Sequence, residues 1–159
     1  MRGIVRPGKR ETSSIEYRIE LTINKSREEV WQAFDNPENR KKWQPSLVGI
    51  EPVSGTPGRP GAVAELIYSE NNREFALMEK VTCRDELTCF ESVYENKFAK
   101  NTVKNTFIEQ GTDQTLWVTE TEFKFKTLFM RILGPVMKKN FVLRTQREME
   151  RFKEMVESQ

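Results

Sequence analysis

The sequence predicts an α+β fold in which a curved antiparallel sheet of about seven strands surrounds a long C-terminal helix, with two short helices after the first strand. Three patterns carry that expectation. Ile15, Tyr17, Ile19, Leu21 and Ile23 alternate with Glu16, Arg18, Glu20 and Thr22, the two-residue period of a half-buried strand over Ser14 to Asn24. Short β-type runs separated by turn residues fill Leu47 to Thr127. From Leu128 to Ser158, Phe129, Leu133, Val136, Met137, Phe141, Thr145, Met149, Phe152 and Val156 recur along one stripe at helical spacing.

After the first strand, Ser26 and Glu29 are spaced as a capping box, and Val30, Trp31 and Phe34 share a helical face that ends at Asn36-Pro37. Asn36 then caps a second helix with Pro37 at its first position, running through Arg40, Lys41, Lys42 and Trp43 to Pro45. Turn residues at Ser54 to Gly61, Glu70 to Arg73, Arg84 to Glu86 and Gly111 to Asp113 punctuate the remainder, and six strands are expected between Leu47 and Thr127. Connections this short permit only antiparallel pairing, because a parallel crossover needs about a dozen residues or more. In the last strand Trp117, Thr119, Thr121, Phe123 and Phe125 make a dry aromatic face, opposite Val118, Glu120, Glu122, Lys124 and Lys126. Gly134-Pro135 is expected to kink or restart the final helix. With no internal repeat, residues 14–159 are expected to share one core as a single domain, and residues 1–13 to form a flexible basic tail carrying Arg2, Arg6, Lys9 and Arg10.

Composition narrows the function. Lys+Arg (26) and Asp+Glu (24) nearly cancel, so no global field draws the chain to nucleic acid or to an anionic membrane. The basic start lacks the apolar stretch of a signal peptide, no run reaches the roughly 20 apolar residues of a spanning helix, and the cysteines make no extracellular disulfide framework; the cytoplasm is the expected compartment. Histidine is absent, which removes the usual proton shuttle at neutral pH, the Ser-His and Cys-His pairs and the commonest zinc ligand. Cys83 and Cys89 match no metal spacing and read as two buried reduced thiols; no cofactor and no metal are expected.

The Ser26 to Phe34 opening, the Asn36-Pro37 and Trp43-Gln44-Pro45 helix ends, the Ser54-to-Gly61 hairpin and Leu133-Gly134-Pro135, in that order, resemble the helix-grip fold of the START-like (SRPBCC) superfamily, particularly its polyketide cyclase/dehydrase-type members. The resemblance covers about Ile15 to Val156. It implies an apolar tunnel between sheet and last helix, in a superfamily that includes lipid carriers, metabolite receptors, aromatase/cyclases and an ATPase activator.

Within that frame the leading expectation is a carrier or binder of a small hydrophobic molecule, lipid-like or polycyclic aromatic, lined by Tyr68, Phe75, Phe90, Tyr94, Phe107, Trp117, Phe123 and Phe141. For any one of these residues taken alone, ordinary core packing is the first expectation. Arg144, which interrupts the helical stripe, either pairs with a ligand carboxylate or a glutamate, or reaches solvent. A cyclase or dehydratase is the alternative, with Glu79 or Glu91 as acid/base if the two are cross-strand neighbours in a dry cavity and not on a solvated face. A third reading is an ATPase-activating interaction module, which a solid core with an exposed apolar patch would favour. Arg40-Lys41-Lys42 beside Trp43, and Arg131, Lys138 and Lys139 near Phe129 and Met130, form either solvated charge or a rim for transient contact with an anionic membrane.

Overall fold

The structure, a computed structural model, describes residues 14–159; the expected basic tail lies outside the described residues. Strand β1 (Ser14–Ile23) leads into helices α1 (Arg27–Asp35) and α2 (Pro37–Trp43). Strands β2 (Leu47–Ser54), β3 (Val63–Glu70), β4 (Arg73–Asp85), β5 (Cys89–Glu95), β6 (Ala99–Gly111) and β7 (Gln114–Phe125) follow, and helix α3 (Leu128–Glu157) ends the fold. The strands form one antiparallel sheet in the order β1-β7-β6-β5-β4-β3-β2. The meander from β2 to β7 therefore closes by pairing its last strand with the first strand of the chain.

Local chemistry sets the element boundaries. The Ser26 hydroxyl accepts from the Glu29 amide while the Glu29 carboxylate accepts from the Ser26 amide, satisfying two donors left open at the start of α1. Asn36 caps α2 through the Glu38 amide, with Pro37 where a missing N–H costs nothing. Between β3 and β4, Asn71 (φ 51°) and Asn72 (φ 61°) make the left-handed pair that a two-residue hairpin of matching twist requires. Ser26→Ala should lower stability by about 1 kcal/mol, read as a shifted urea midpoint with an unchanged slope.

The tightly packed part of the core lies at the α1–α2 end. Ile23, Val30, Trp31, Trp43, Phe107, Trp117, Met149, Phe152 and Val156 are buried together there. Phe34 sits among them, with ring centroids 5.1 Å from Phe107, 5.9 Å from Trp43, 6.0 Å from Trp117 and 6.1 Å from Phe152. The C-terminal turns of α3 are thus anchored by aromatic packing, and its N-terminal half extends across the sheet toward β7.

Of the two outcomes expected at Gly134-Pro135, a restart does not occur: the helix runs unbroken through Pro135. The predicted stripe also fails at its start: Phe129 and Val136 are 70% and 77% exposed, because the buried face of that segment is occupied by Gly134 against the Phe125 ring. The cysteines are corrected as well. Both are free thiols, but Cys83 is exposed and Cys89 only half-buried, since both belong to the outer face of the β4–β5 hairpin. Among the described residues no group of His, Cys, Asp and Glu is placed to hold a metal ion, and no helix is long and apolar enough to cross a membrane.

Candidate functional site

A cavity of about 810 Å³ lies between the concave face of the sheet and the helices α2 and α3, within the range of pockets that enclose small organic ligands. Its existence follows from the shape of the fold. The sheet curves away from α3, whose buried contacts concentrate at Met149, Phe152 and Val156, so the space under the preceding turns is not filled by side chains.

Of the predicted lining residues, Tyr68, Phe75, Phe90, Tyr94, Trp117, Phe123, Phe141 and Arg144 all border this cavity. Phe107 does not. It is 1% exposed and packs edge-on against Trp31 and stacked on Trp117, a pure core role. The walls are organised by aromatic pairs: Tyr68 stacks on Phe75 at 5.3 Å, and Phe123 on Phe141 at 4.8 Å. The second pair links β7 to α3 across the cavity.

The polar groups are few and are held in fixed geometry. Arg40 of α2 spans the cavity wall to Glu79 of β4 in a two-pronged ion pair, Nη1 to Oε1 at 3.2 Å and Nη2 to Oε2 at 2.7 Å. Its Nη2 also donates to the Tyr94 hydroxyl at 3.2 Å. Only 19% of the Arg40 side chain and 9% of Glu79 remain exposed. Burial alone would push the Glu79 carboxyl up, but the Arg40 charge, with hydrogen bonds from Arg40 and Tyr94, holds it below the usual value. Burial and the neighbouring Glu79 carboxylate push the Tyr94 phenol well above its ordinary value, so it stays protonated.

Glu79 is therefore an ionised, neutralised acceptor, which disfavours it as a proton donor. Glu91 is not its neighbour: Glu79 is registered opposite Tyr94, and Glu91 opposite Cys83. The register shift between Val81 and Cys83 and the face alternation of β5 place Glu91 outside, where it accepts from the Thr82 hydroxyl at 2.7 Å. Glu79 and Glu91 therefore make no carboxylate pair in the cavity.

A second polar group comes from α3. Tyr17 and Thr145 share a hydrogen bond of 2.9 Å from β1 to the helix. Glu148 accepts from Gln44 Nε2 at 3.2 Å and lies 3.6 Å from Arg144 Nε. Arg144 itself pairs with Glu70 and donates to Ser46 at 3.2 Å, so it bridges α3 to the β2–β3 side of the sheet. Burial outweighs these partners and pushes the Glu148 carboxyl above its ordinary value. At pH 7 the folded state thus carries the cost of a buried carboxylate, a cost relieved as pH falls through the raised folded pKa and gone below the unfolded value. Glu148→Gln should raise the thermal midpoint at pH 7, with the difference from wild type shrinking toward pH 4.

On the β6–β7 wall, Asn105 accepts from Trp117 Nε1 at 3.0 Å and from the Thr119 hydroxyl at 2.9 Å. Asn101, also on the cavity wall, buries its Oδ1 without a hydrogen-bond partner among the described residues. Sequence reading missed Arg40, Gln44, Asn101 and Glu148. Arg40 stood in an apparently solvated basic run, although its position three residues before Trp43 on a seven-residue helix is a signal that both face inward.

The chain has the helix-grip fold. No family model and no curated protein sequence matches it, whereas many solved structures do. Ara h 8.0201 superposes with a TM-score of 0.75 at 18% identity, over 92% of this chain and 99% of that one. A START superfamily protein from Mycobacterium smegmatis gives 0.74 at 16% identity, over 90% and 97%. Norcoclaurine synthase from Thalictrum flavum, in complex with dopamine and hydroxybenzaldehyde, gives 0.68 at 13% identity, over 99% and 98%.

Proposed function

We propose that this chain binds a small hydrophobic molecule, lipid-like or polycyclic aromatic, in the space between its sheet and α3. The observation that carries the reading is the cavity itself: about 810 Å³, walled by aromatic and aliphatic side chains, with its polar groups held at fixed points. Burying such a ligand contributes about 25 cal/mol per Å² of apolar surface, and the Tyr94 hydroxyl and Asn101 Oδ1 offer partners to a polar substituent. The norcoclaurine synthase complex, whose aromatic ligands are named with it, supports the fold's capacity for such molecules.

The same features weigh against the other readings. The ATPase-activating module called for a solid core, and the core is hollow. The acid/base alternative loses Glu79 to its ion pair and Glu91 to the outer face. Native mass spectrometry of the freshly purified protein, followed by solvent extraction, tests the proposal. A non-covalent adduct that reappears as an apolar small molecule in the extract is the expected result; a chain found only at its bare mass, which also takes up no added apolar molecule, would overturn it.

A further inference from the structure

At one end the cavity reaches Phe98 in the β5–β6 turn and Phe129 in the first turn of α3. Both are substantially exposed, so the cavity opens to the surface between them. The backbone fixes the two segments together: the Lys126 amide donates to the Phe98 carbonyl at 2.8 Å, and Lys126 Nζ to the Asn96 carbonyl at 2.8 Å.

Around this opening the surface is apolar. Leu128, Ile132 and Val136 follow one another at four-residue spacing on α3, at 73%, 69% and 77% exposure. With Phe129 they form a protruding face that a water-facing helix surface has no reason to carry. The charge along this part of α3 has one sign. Between Glu122 and Glu148 every charged residue is Lys or Arg; Lys138 and Lys139 are exposed in the turn after Val136, Lys139 on the face of the apolar row and Lys138 on its flank. Lys97 adds a further cation over the Phe98 ring, at 5.0 Å. Lys124 and Lys126 are offset by Glu122 and Glu95, which leaves the excess on α3.

We propose that this face docks onto a bilayer containing anionic lipid, with Leu128, Phe129, Ile132 and Val136 inserting at the headgroup boundary and Lys138 and Lys139 contacting phosphate. Apolar insertion with a basic flank is the combination that anionic bilayers bind. A second copy of the chain would bring like charges together at the same face. The inference rests on the ligand-binding reading for its purpose, since it sets the cavity opening against the phase in which an apolar ligand dissolves. Its test is independent of that reading, because Ile132 and Val136 do not line the cavity.

The test is co-flotation with phosphatidylcholine vesicles with and without 30% phosphatidylglycerol, composition chosen as roughly that of an anionic membrane. Wild type should float with the anionic vesicles at low salt, at least tenfold more than with neutral ones. Ile132→Glu/Val136→Glu should lose this tenfold or more, and Lys138→Glu/Lys139→Glu should lose the preference for anionic lipid. Uptake of a neutral apolar fluorophore by the first variant should be unchanged, which certifies its fold and separates docking from ligand binding. Absence of wild-type flotation, variants that float like wild type, or a dimer abolished by Ile132→Glu/Val136→Glu would each overturn the proposal, the last in favour of a second copy as the occupant.

Discussion

Arg40→Met should lower the unfolding free energy by about 3–5 kcal/mol, much of the stability of an ordinary domain. The reason is the carboxylate it leaves behind. Glu79 is nearly enclosed, and its ionised form depends first on the Arg40 charge and then on the Arg40 and Tyr94 hydrogen bonds. Without Arg40, burial prevails and the Glu79 pKa must rise. The sign of the pH dependence then inverts. In wild type the depressed Glu79 pKa contributes stability that is present above its unfolded value and lost as pH falls through the folded one. In Arg40→Met the raised pKa makes the protein more stable as pH falls toward the unfolded value. Arg40→Met/Glu79→Leu should recover most of the loss, since replacing both partners of a buried pair with apolar groups is often near neutral. Urea unfolding followed by tryptophan fluorescence at pH 5 and pH 8 reads all three quantities; equal losses in the single and double variants would refute the account of this pair.

Gly134→Ala is expected to destabilise by about 1–3 kcal/mol, against the usual gain of nearly 1 kcal/mol for alanine inside a helix. A Cβ at this position would stand 2.2 Å from Phe125 Cε2 and 2.5 Å from Cζ. The ring cannot retreat easily, because Phe125 is buried and stacks on Phe123 at 6.2 Å. Glycine here is the contact that lets the first turns of α3 lie close on the end of β7. Phe125→Leu combined with Gly134→Ala should cost clearly less than the sum of the single losses. Additive losses would mean that the two residues do not share this contact.

The fold was legible in the sequence where one physical signal governed each element. Alternation marked β1 and β7, the Ser26–Glu29 box marked α1, and Asn36-Pro37 marked α2, with structural boundaries within a residue or so of the expected ones. The cavity walls were legible to the same degree, since Tyr68, Phe75, Tyr94, Phe123 and Phe141 lie on the faces that their strand and helix periods assign. What failed depended on sequence-distant partners. The Glu79–Glu91 pairing assumed a hairpin centred near Asp85, whereas Asp85 pairs with Cys89 around a turn at Glu86–Thr88, and the further shift between Val81 and Cys83 is invisible to alternation. Arg40 looks like surface until β4 supplies Glu79. The exposure of Phe129 and Val136 reflects where the sheet ends beneath α3, which helical spacing alone does not specify.

The central claim is that the cavity is ligand-accessible space. Its most direct measurement is a fluorescence titration of 1-aminoanthracene into protein refolded from urea to remove co-purified molecules, with Val103→Trp as the filled-cavity control, Val103 being on the β6 wall. Saturable uptake by the wild type, reduced at least tenfold in a Val103→Trp variant that still unfolds cooperatively, is the predicted result. No saturable uptake by the wild type, or equal uptake by both proteins, would contradict the account.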